Sequence, residues 1–461
     1  MSFGEGALIM SILALGLLFI AVTLLIMFSG MPIAFSLGTV ALIFMFFFMP
    51  ASSLDTITQN VYEEMASITL LSIPLFIMKG AAIGRSRAGQ DLYGALHVWL
   101  GKVPGGLGVA NVLACALFAA MAGSSPATCS AIGSAGIPEM RKRGYSPGFA
   151  AGVIAAGGTL GILLPPSITM ILYSVAAEQS LGRLFLAGIG PGILLVVLFS
   201  FYTVWQFHRE YKHALATFKQ GTPEPEILKR ETYTMQQKMN SLPRVLPFLV
   251  LLIGVMVALY GGFATPSETA GLGAVLAFVL VAGIYKMWRI RDLSPLLEAT
   301  IKESTMLMFI IGMSLLFSNV MSHLHLSQSA AQWIVDLELG RWALLTAILF
   351  LVIILGFFLP PVSIILMTAP IVLPPLRAAN FDLVWFGIVM TIVMETGLIH
   401  PPVGLNIFVI KNIAPDIPLN KIIWGVLPFV VIMLLSVVLL CLFPEIATGL
   451  ANFVMGPVLA R

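Results

Sequence analysis

The stretch GTLGILLPPS, residues 158–167, decides the fold of this chain, because it places two consecutive prolines inside a long apolar run. Residues 147–177 would otherwise be long enough to cross a bilayer as one helix. A proline in a helix interior costs about 3 kcal/mol, since it removes a backbone donor and collides with the preceding turn. Pro165 and Pro166 therefore predict that this helix is broken near its middle, inside the medium that surrounds the apolar run.

The composition indicates that this solvent is lipid. Hydrophobic residues make up 59% of the 461 residues and charged residues only 10%, and the mean hydropathy is +1.01. A soluble domain carries about a quarter charged residues. The sequence predicts an all-α polytopic membrane protein without a nucleic-acid-binding arm. Continuous spans are predicted at 7–29, 32–50, 67–84, 182–207, 243–262, 266–288, 296–320 and 422–443. No Lys or Arg precedes the first run, which favours a span over a cleaved signal.

Two further apolar runs are interrupted near their middles. Residues 105–140 contain GSSPAT (123–128), and residues 342–376 contain FLPP (358–361). Both are predicted to be re-entrant helical hairpins. Lys and Arg flank both ends of the first hairpin and are balanced by acidic residues around the second. Because positive charge marks cytoplasmic ends, the first hairpin is predicted to open inward and the second outward, with the N-terminus outside.

The broken helix has a second copy in ETGLIHPPVG, residues 395–404, within the apolar run 382–410. Pro138 precedes Pro165 by 27 residues, and Pro374 precedes Pro401 by the same interval. A broken helix at membrane depth is tolerated where it lines a cavity or faces protein, and its freed carbonyls can bind a cation. Two such breaks in inverted halves indicate the midplane site of a secondary transporter.

At these residues the chain resembles the large membrane subunit of the tripartite ATP-independent periplasmic (TRAP) transporters, of the DctM/SiaM type. The resemblance covers nearly the whole chain. It rests on six segments in order: SIPLFIMKGAAIG (72–84), LGKVPGGLGVANVLACALFAAMAGSSPAT (100–128), IPEMRKRGY (137–145), AAGGTLGILLPPS (155–167), ATPSETAG (264–271) and ETGLIHPPVGLNIFV (395–409).

The resemblance implies an inverted-repeat elevator transporter, multi-pass in the bacterial inner membrane. Scaffold helices are expected at 1–66, at 182–295 with a cytoplasmic loop at 208–244, and at 412–461. The repeats 67–181 and 296–411 are expected to supply the hairpins and broken helices of a transport domain. Amphipathic segments at 87–101 and 327–338 are expected to lie in the two membrane interfaces.

The resemblance also implies Na+-coupled uptake of an organic acid such as a C4-dicarboxylate, with Na+ as coupling ion and without a cofactor. The implied partners are a periplasmic substrate-binding protein and a small four-helix membrane subunit, expected here as a separate chain. Two alternatives stay open. An ion channel also uses re-entrant hairpins, but the sequence shows neither a filter motif nor a ring of pore charges. An intramembrane enzyme needs clustered nucleophiles or metal ligands, whereas the six histidines and three cysteines are scattered.

Sodium ligands are carried over by position from the resemblance. The first site would use tip hydroxyls and nearby backbone oxygens, at Ser124, Ser125, Gly161, Leu164 and Pro165. The second would combine the second hairpin with the second break, at Gly356, Gly397, His400 and Val403. Relatives often have Thr where His400 stands and an acidic residue where Pro360 stands, so backbone oxygen is expected to contribute most at this second site.

Thr128, Glu395 and Asn406 are the candidates for substrate binding. Each has a structural alternative: the tip hydroxyls could cap the half-helices, Glu395 could be a paired buried carboxyl, and Asn406 could serve packing. Lys79 and the arginines lie mostly near predicted membrane edges, where snorkelling is the default. Carboxylate recognition is therefore expected from half-helix N-termini, hydroxyls and bound Na+, with no basic residue assigned to it.

Overall fold

The computed structural model describes residues 11–218, 225–228, 233–243, 245–329, 332, 340–401 and 404–457. Within these ranges the regular structure is helical, with one short 3₁₀ turn at Glu226–Leu228. Val403 and most of the segment 327–338 lie outside the described residues.

The first half of the chain forms ten helices in the described part. They are α1 (Ile12–Phe28), α2 (Ile33–Phe48), α3 (Ala51–Met65), α4 (Ile68–Gly84), α5 (Ala88–Leu100), α6 (Gly106–Ala122), α7 (Ser125–Lys142), α8 (Pro147–Leu163), α9 (Ile168–Ala176) and α10 (Leu181–Thr217). The second half continues with α11 (Met235–Ser241), α12 (Leu246–Tyr260), α13 (Pro266–Tyr285), α14 (Ile290–His323), α15 (Arg341–Gly356), α16 (Pro361–Ala378), α17 (Leu383–Ile399), α18 (Leu405–Ile413), α19 (Leu419–Leu442) and α20 (Glu445–Met455).

The same succession of helical elements occurs twice along the chain. A hairpin (α6–α7), a broken helix (α8 and α9) and a long helix (α10) are followed later by a hairpin (α15–α16), a broken helix (α17 and α18) and a long helix (α19). The axes of α8 and α9 differ by 42°. By length and hydropathy, α10, α13, α14, α16 and α19 are each able to cross a membrane unaided. The predicted class, an all-helical polytopic protein with two hairpins and two broken helices, is confirmed.

The chain chemistry explains both breaks. Leu164 after α8 is extended, with φ −81° and ψ 129°, and two prolines follow it. Ser167 then restarts the helix by accepting a hydrogen bond from the Met170 amide at 3.3 Å. After α17, His400 is likewise extended, and α18 starts after Gly404, whose φ of +57° favours glycine.

The hairpins and broken helices pack together, and we call α6–α9 with α15–α18 the hairpin core. Within it α8 contacts α6, α7 and α17, and α17 also contacts α15. All seventeen residues of α17 are buried. A helix that is apolar on every side belongs in such a position, surrounded by protein. The first half of the second broken helix, α17, is therefore enclosed by protein on all sides.

A long helix crosses the hairpin core with its main chain in direct contact. Gly148 and Gly152 of α8 face Lys421 and Gly425 of α19. A Cβ placed on Gly148 would lie 2.7 Å from the Lys421 carbonyl oxygen, and one on Gly152 would overlap the Gly425 carbonyl. Small residues at such crossings let membrane helices approach closely.

The helices α2, α4, α13 and α14 form a second group, which we call the outer helices. Helix α4 packs on α13 and α14, and α14 packs on α2. Helix α4 also contacts α6 and α9, so it lies along the first half of the hairpin core. The outer helices thus form one wall against which the hairpin core rests.

Some boundaries differ from those predicted. The span predicted at 67–84 is preceded by α3, which is bent by 50° relative to α4. Helix α10 continues to Thr217 through residues predicted as loop, because the sequence from 208 to 217 contains neither Gly nor Pro. Glu210 on this extension accepts hydrogen bonds from the Ser146 hydroxyl at 2.6 Å and from its amide at 3.1 Å. This extension is thereby tied to the turn between α7 and α8.

Candidate functional site

The tip of the first hairpin is a two-residue turn. Gly123 has a φ of +66°, and Ser124 is extended before α7 begins at Ser125. The Thr128 hydroxyl donates a hydrogen bond to the Ser124 carbonyl at 2.8 Å. The Ser124 side chain makes no capping hydrogen bond. Its hydroxyl therefore does not cap the start of α7, which was the structural alternative for this residue.

This first tip meets the first break main chain to main chain. A Cβ placed on Gly161 would lie 2.7 Å from the Ser124 carbonyl oxygen and 2.9 Å from the Ser125 amide nitrogen. A Cβ on Gly123 would lie 2.8 Å from the Pro166 carbonyl oxygen. Only glycine fits at either place. The structure thus brings the predicted first set together, with Leu164 and Pro165 following directly after this contact.

The second tip meets the second break in the same way. A Cβ placed on Gly397 would overlap the carbonyl oxygen of Gly356 and lie 2.8 Å from its Cα. The Phe357 ring stacks on the His400 ring, with centroids 4.7 Å apart and an interplanar angle of 21°. His400 Nδ1 is also within hydrogen-bonding distance of the Pro401 carbonyl. The imidazole is thus held by two neighbours, while Gly356 and Gly397 bring main-chain oxygen to this junction.

A polar cluster links the first tip to the second broken helix. Asn406 on α18 donates from Nδ2 to the Ser125 hydroxyl at 2.8 Å and to the Ala155 carbonyl at 3.3 Å. Glu395 on α17 is 1% exposed, and its carboxyl neighbours the Ser125 side chain. Within the described residues, neither carboxyl oxygen of Glu395 nor Oδ1 of Asn406 has a hydrogen-bond donor. The cluster therefore holds three buried oxygens with unused acceptor capacity.

The donor set of these two junctions is almost entirely oxygen. Main-chain carbonyls at Ser124, Pro166 and Gly356 face the opposing segment, and Ser125 adds a buried hydroxyl. Unwound backbone of this kind coordinates Na+ in transporters without burying net negative charge. In the described part of the chain, no three His, Cys, Asp or Glu residues are close enough to hold a metal ion. The chemistry of the junctions therefore suits a hard monovalent cation.

Sequence reasoning misplaced one residue. Lys79 was expected among residues near the membrane edges, but its side chain is 1% exposed and lies inside the protein on α4. The next residue, Gly80, packs against the Ala122 carbonyl, where the first hairpin approaches its tip. The sequence carried no signal for this burial, because Arg85 and Arg87 follow closely and suggested a helix end.

Two hairpin tips that meet two broken helices inside a polytopic helical protein define a class, the membrane permeases of secondary transporters. Residues 20–446 match the family described as "Tripartite ATP-independent periplasmic transporter, DctM component", and the chain belongs to that family. It is thus a multi-pass permease of the bacterial inner membrane and not an enzyme, as predicted.

Relatives are similar over nearly their whole length. The chain is 35% identical over 441 residues to the C4-dicarboxylate TRAP transporter large permease protein DctM of Rhodobacter capsulatus, covering 93% of this chain and 96% of that protein. It is 27% identical over 433 residues to the sialic acid TRAP transporter large permease protein SiaM of Vibrio cholerae, covering 94% and 97%. The solved structure of the Alcanivorax borkumensis YdaH transporter has the same fold, with a TM-score of 0.62 at 14% identity, covering 87% of this chain and 90% of that one.

Proposed function

We propose that this chain is the permease of a Na+-coupled, binding-protein-dependent importer of organic acids, with C4-dicarboxylates as the preferred class. The observation that carries the proposal is the pair of junctions in which a hairpin tip touches a broken helix through main-chain atoms. The substrate class follows from similarity: C4-dicarboxylate permeases are 33–36% identical to this chain. Permeases named for isethionate, ectoine and sialic acid are 27–31% identical.

The two junctions are the proposed sodium sites. The first comprises Ser124, Ser125, Gly161, Leu164 and Pro165. The second comprises Gly356, Gly397, His400 and Val403, the last outside the described residues. At the second site we expect the main chain rather than the imidazole to bind the ion, because the ring of His400 stacks on Phe357. Ion binding would then hold each tip against its break and shape the space between them.

The substrate is proposed to bind between the tips, bordered by Thr128, Asn406 and Glu395. The Thr128 hydroxyl donates to the Ser124 carbonyl and the Asn406 amide to the Ser125 hydroxyl, each at 2.8 Å, so each donor would exchange that hydrogen bond for one to the substrate. Glu395 repels an anion directly, so its proposed part is to accept hydrogen bonds from substrate hydroxyls or from Ser125. In this arrangement substrate and Na+ share the residues of the first tip, and each stabilises the bound position of the other.

Transport is proposed to follow an elevator motion, in which the hairpin core moves along the outer helices and carries the site across the membrane. Tripartite systems of this family include a binding protein and a small membrane subunit. A relative from Oleidesulfovibrio alaskensis, 31% identical over 419 residues, is named as an isethionate permease protein DctMQ, and the match covers 90% of this chain but 63% of that protein. We propose a small four-helix membrane subunit and a periplasmic binding protein as partners of this chain.

The test is uptake of radiolabelled succinate into proteoliposomes that contain this chain, its small subunit and the cognate binding protein. An inward Na+ gradient should drive accumulation, and replacing external Na+ by choline should abolish it. Omission of the binding protein is the matched control for partner dependence. Equal accumulation in choline would reject the coupling, and no uptake of any C4-dicarboxylate would reject the substrate class.

A further inference from the structure

Lys79 is the one Lys or Arg that is buried within the described residues. Its ammonium lies 5.0 Å from the centroid of the Phe76 ring, one turn earlier on α4. Over the described ranges, the structure gives this group neither a hydrogen-bond acceptor nor an acidic partner. The aliphatic stem lies against α13, where a Cβ on Gly273 would approach Lys79 Cδ to 3.4 Å. A glycine therefore makes room for a buried lysine that has no counter-charge.

Such an arrangement is unfavourable unless something else pairs with the lysine. Desolvation of a charged ammonium costs more than a face-on aromatic ring returns. A buried amine without a partner, in a protein that is proposed to carry anions, can become charged when a ligand of negative charge binds beside it.

The position of Lys79 relative to the hairpin core supports this reading. Its neighbour Gly80 touches the end of α6, where the Cα of Ala122 would lie 3.4 Å from a Cβ on Gly80. Ala122 directly precedes the tip turn Gly123–Ser124. Helix α4 also runs along α9, the second half of the first broken helix. Lys79 thus directly precedes the residue of α4 that touches the first hairpin beside its tip, while its own stem lies against α13.

We propose that Lys79 determines specificity for anionic substrates by pairing its ammonium with a substrate carboxylate. This inference rests on the proposed function, because it assumes that the cargo is an organic acid. The hydroxyls and amides at the first tip are neutral donors, whereas an ammonium adds the attraction of a full positive charge to its hydrogen bond with a carboxylate. The flexible four-carbon stem lets the ammonium leave the Phe76 ring and turn toward the tip.

The test compares carboxylate binding in the wild-type chain with that in Lys79→Met and Lys79→Arg, each purified at full length in detergent with its small subunit. Succinate in Na+ buffer should raise the melting temperature of the wild type, and its neutral diamide, succinamide, should not. In Lys79→Met the apparent affinity for succinate should fall at least tenfold, while the Na+ dependence of the melting temperature stays unchanged. Lys79→Arg, which keeps the charge, should retain most of the response to succinate.

These measurements distinguish a loss of folding from a loss of succinate binding. Met replaces the stem without an unpaired charge, so the melting temperature of Lys79→Met in Na+ alone should equal or exceed that of the wild type. If only Lys79→Arg folds, the succinate affinity of that variant is decisive. Full retention would support a role for the positive charge, and a tenfold loss would contradict it. Wild-type succinate affinity in folded Lys79→Met would overturn the role of Lys79 and leave Na+-driven uptake intact. Loss of Na+-driven uptake in the wild type would instead reject the proposed function.

Discussion

Adding one methyl group at the first junction tests whether the contact between tip and break holds the ion. In Gly161→Ala the new Cβ would lie 2.7 Å from the Ser124 oxygen, 2.8 Å from its carbonyl carbon and 2.9 Å from the Ser125 nitrogen. Ordinary contact begins at 3.4 Å, so the two segments must separate by about 0.7 Å. All three atoms belong to the main chain, so no side-chain rotation can relieve the clash.

The consequences for stability and for ion binding differ in size. Alanine is favoured over glycine in a helix by about 0.5–1 kcal/mol, whereas overpacking costs about 1–3 kcal/mol. The net destabilisation should therefore be small, roughly 1–2 kcal/mol. Ligand geometry is more sensitive, because binding groups must be held to about 0.5 Å and a 1 Å displacement can cost about a hundredfold. We expect the Na+ concentration for half-maximal uptake to rise at least tenfold.

The assay is a Na+ titration of succinate uptake in proteoliposomes, with the melting temperature measured on the same preparation. The matched control is Gly254→Ala on α12, where a new Cβ would meet nothing within 4 Å. That variant should keep the Na+ dependence of the wild type and melt slightly higher. A folded Gly161→Ala protein with the wild-type Na+ dependence would show that this junction is packing alone.

Three further changes test the rest of the architecture. Gly397→Ala forces the second break away from Gly356, since its Cβ would overlap the carbonyl there; it should raise the half-saturating Na+ concentration as well, and an unchanged value would remove the second sodium site. Asn406→Ala deletes the 2.8 Å hydrogen bond to Ser125, and should lower the free energy of unfolding by about 1–3 kcal/mol and abolish uptake. Retained uptake at a lowered melting temperature would show that Asn406 has only a structural role. Thr265→Ala removes the N-terminal cap of α13 and should lower the free energy of unfolding by about 0.5–2 kcal/mol without altering the Na+ dependence of uptake. A shift in that dependence would contradict our view that the cap lies outside the sodium sites.

The main features of the fold could be predicted because proline and glycine act locally. Pro165 and Pro401 each lie at a break between two half-helices, as their local cost predicts, although Pro138 and Pro428 lie inside continuous helices. The apolar runs on both sides of each break set the lengths of the half-helices. The resemblance to a known family then placed Gly161 and Gly397 at the two sites. The structure shows both glycines in main-chain contact with a hairpin tip, while their part in binding Na+ stays a prediction.

What escaped prediction depends on partners that are distant along the chain. The bond between Asn406 and Ser125 joins residues 281 positions apart, and no local pattern indicates it. The stacking of His400 on Phe357 likewise follows from the meeting of two segments. Lys79 was misplaced because a single sequence shows which charges are neighbours along a helix, but not which side of that helix faces protein.

The crossing of α8 and α19 has a practical use in spectroscopy. Gly148 and Gly152 pack against the carbonyls of Lys421 and Gly425, so the two helices touch main chain to main chain at two places. We therefore expect α19 to move with α8, although the resemblance implies scaffold at 412–461. A pair of spin labels on these helices should report one constant distance throughout turnover. That constant distance would serve as an internal reference, against which a second pair of labels on α4 and α6 tests the proposed movement of the hairpin core.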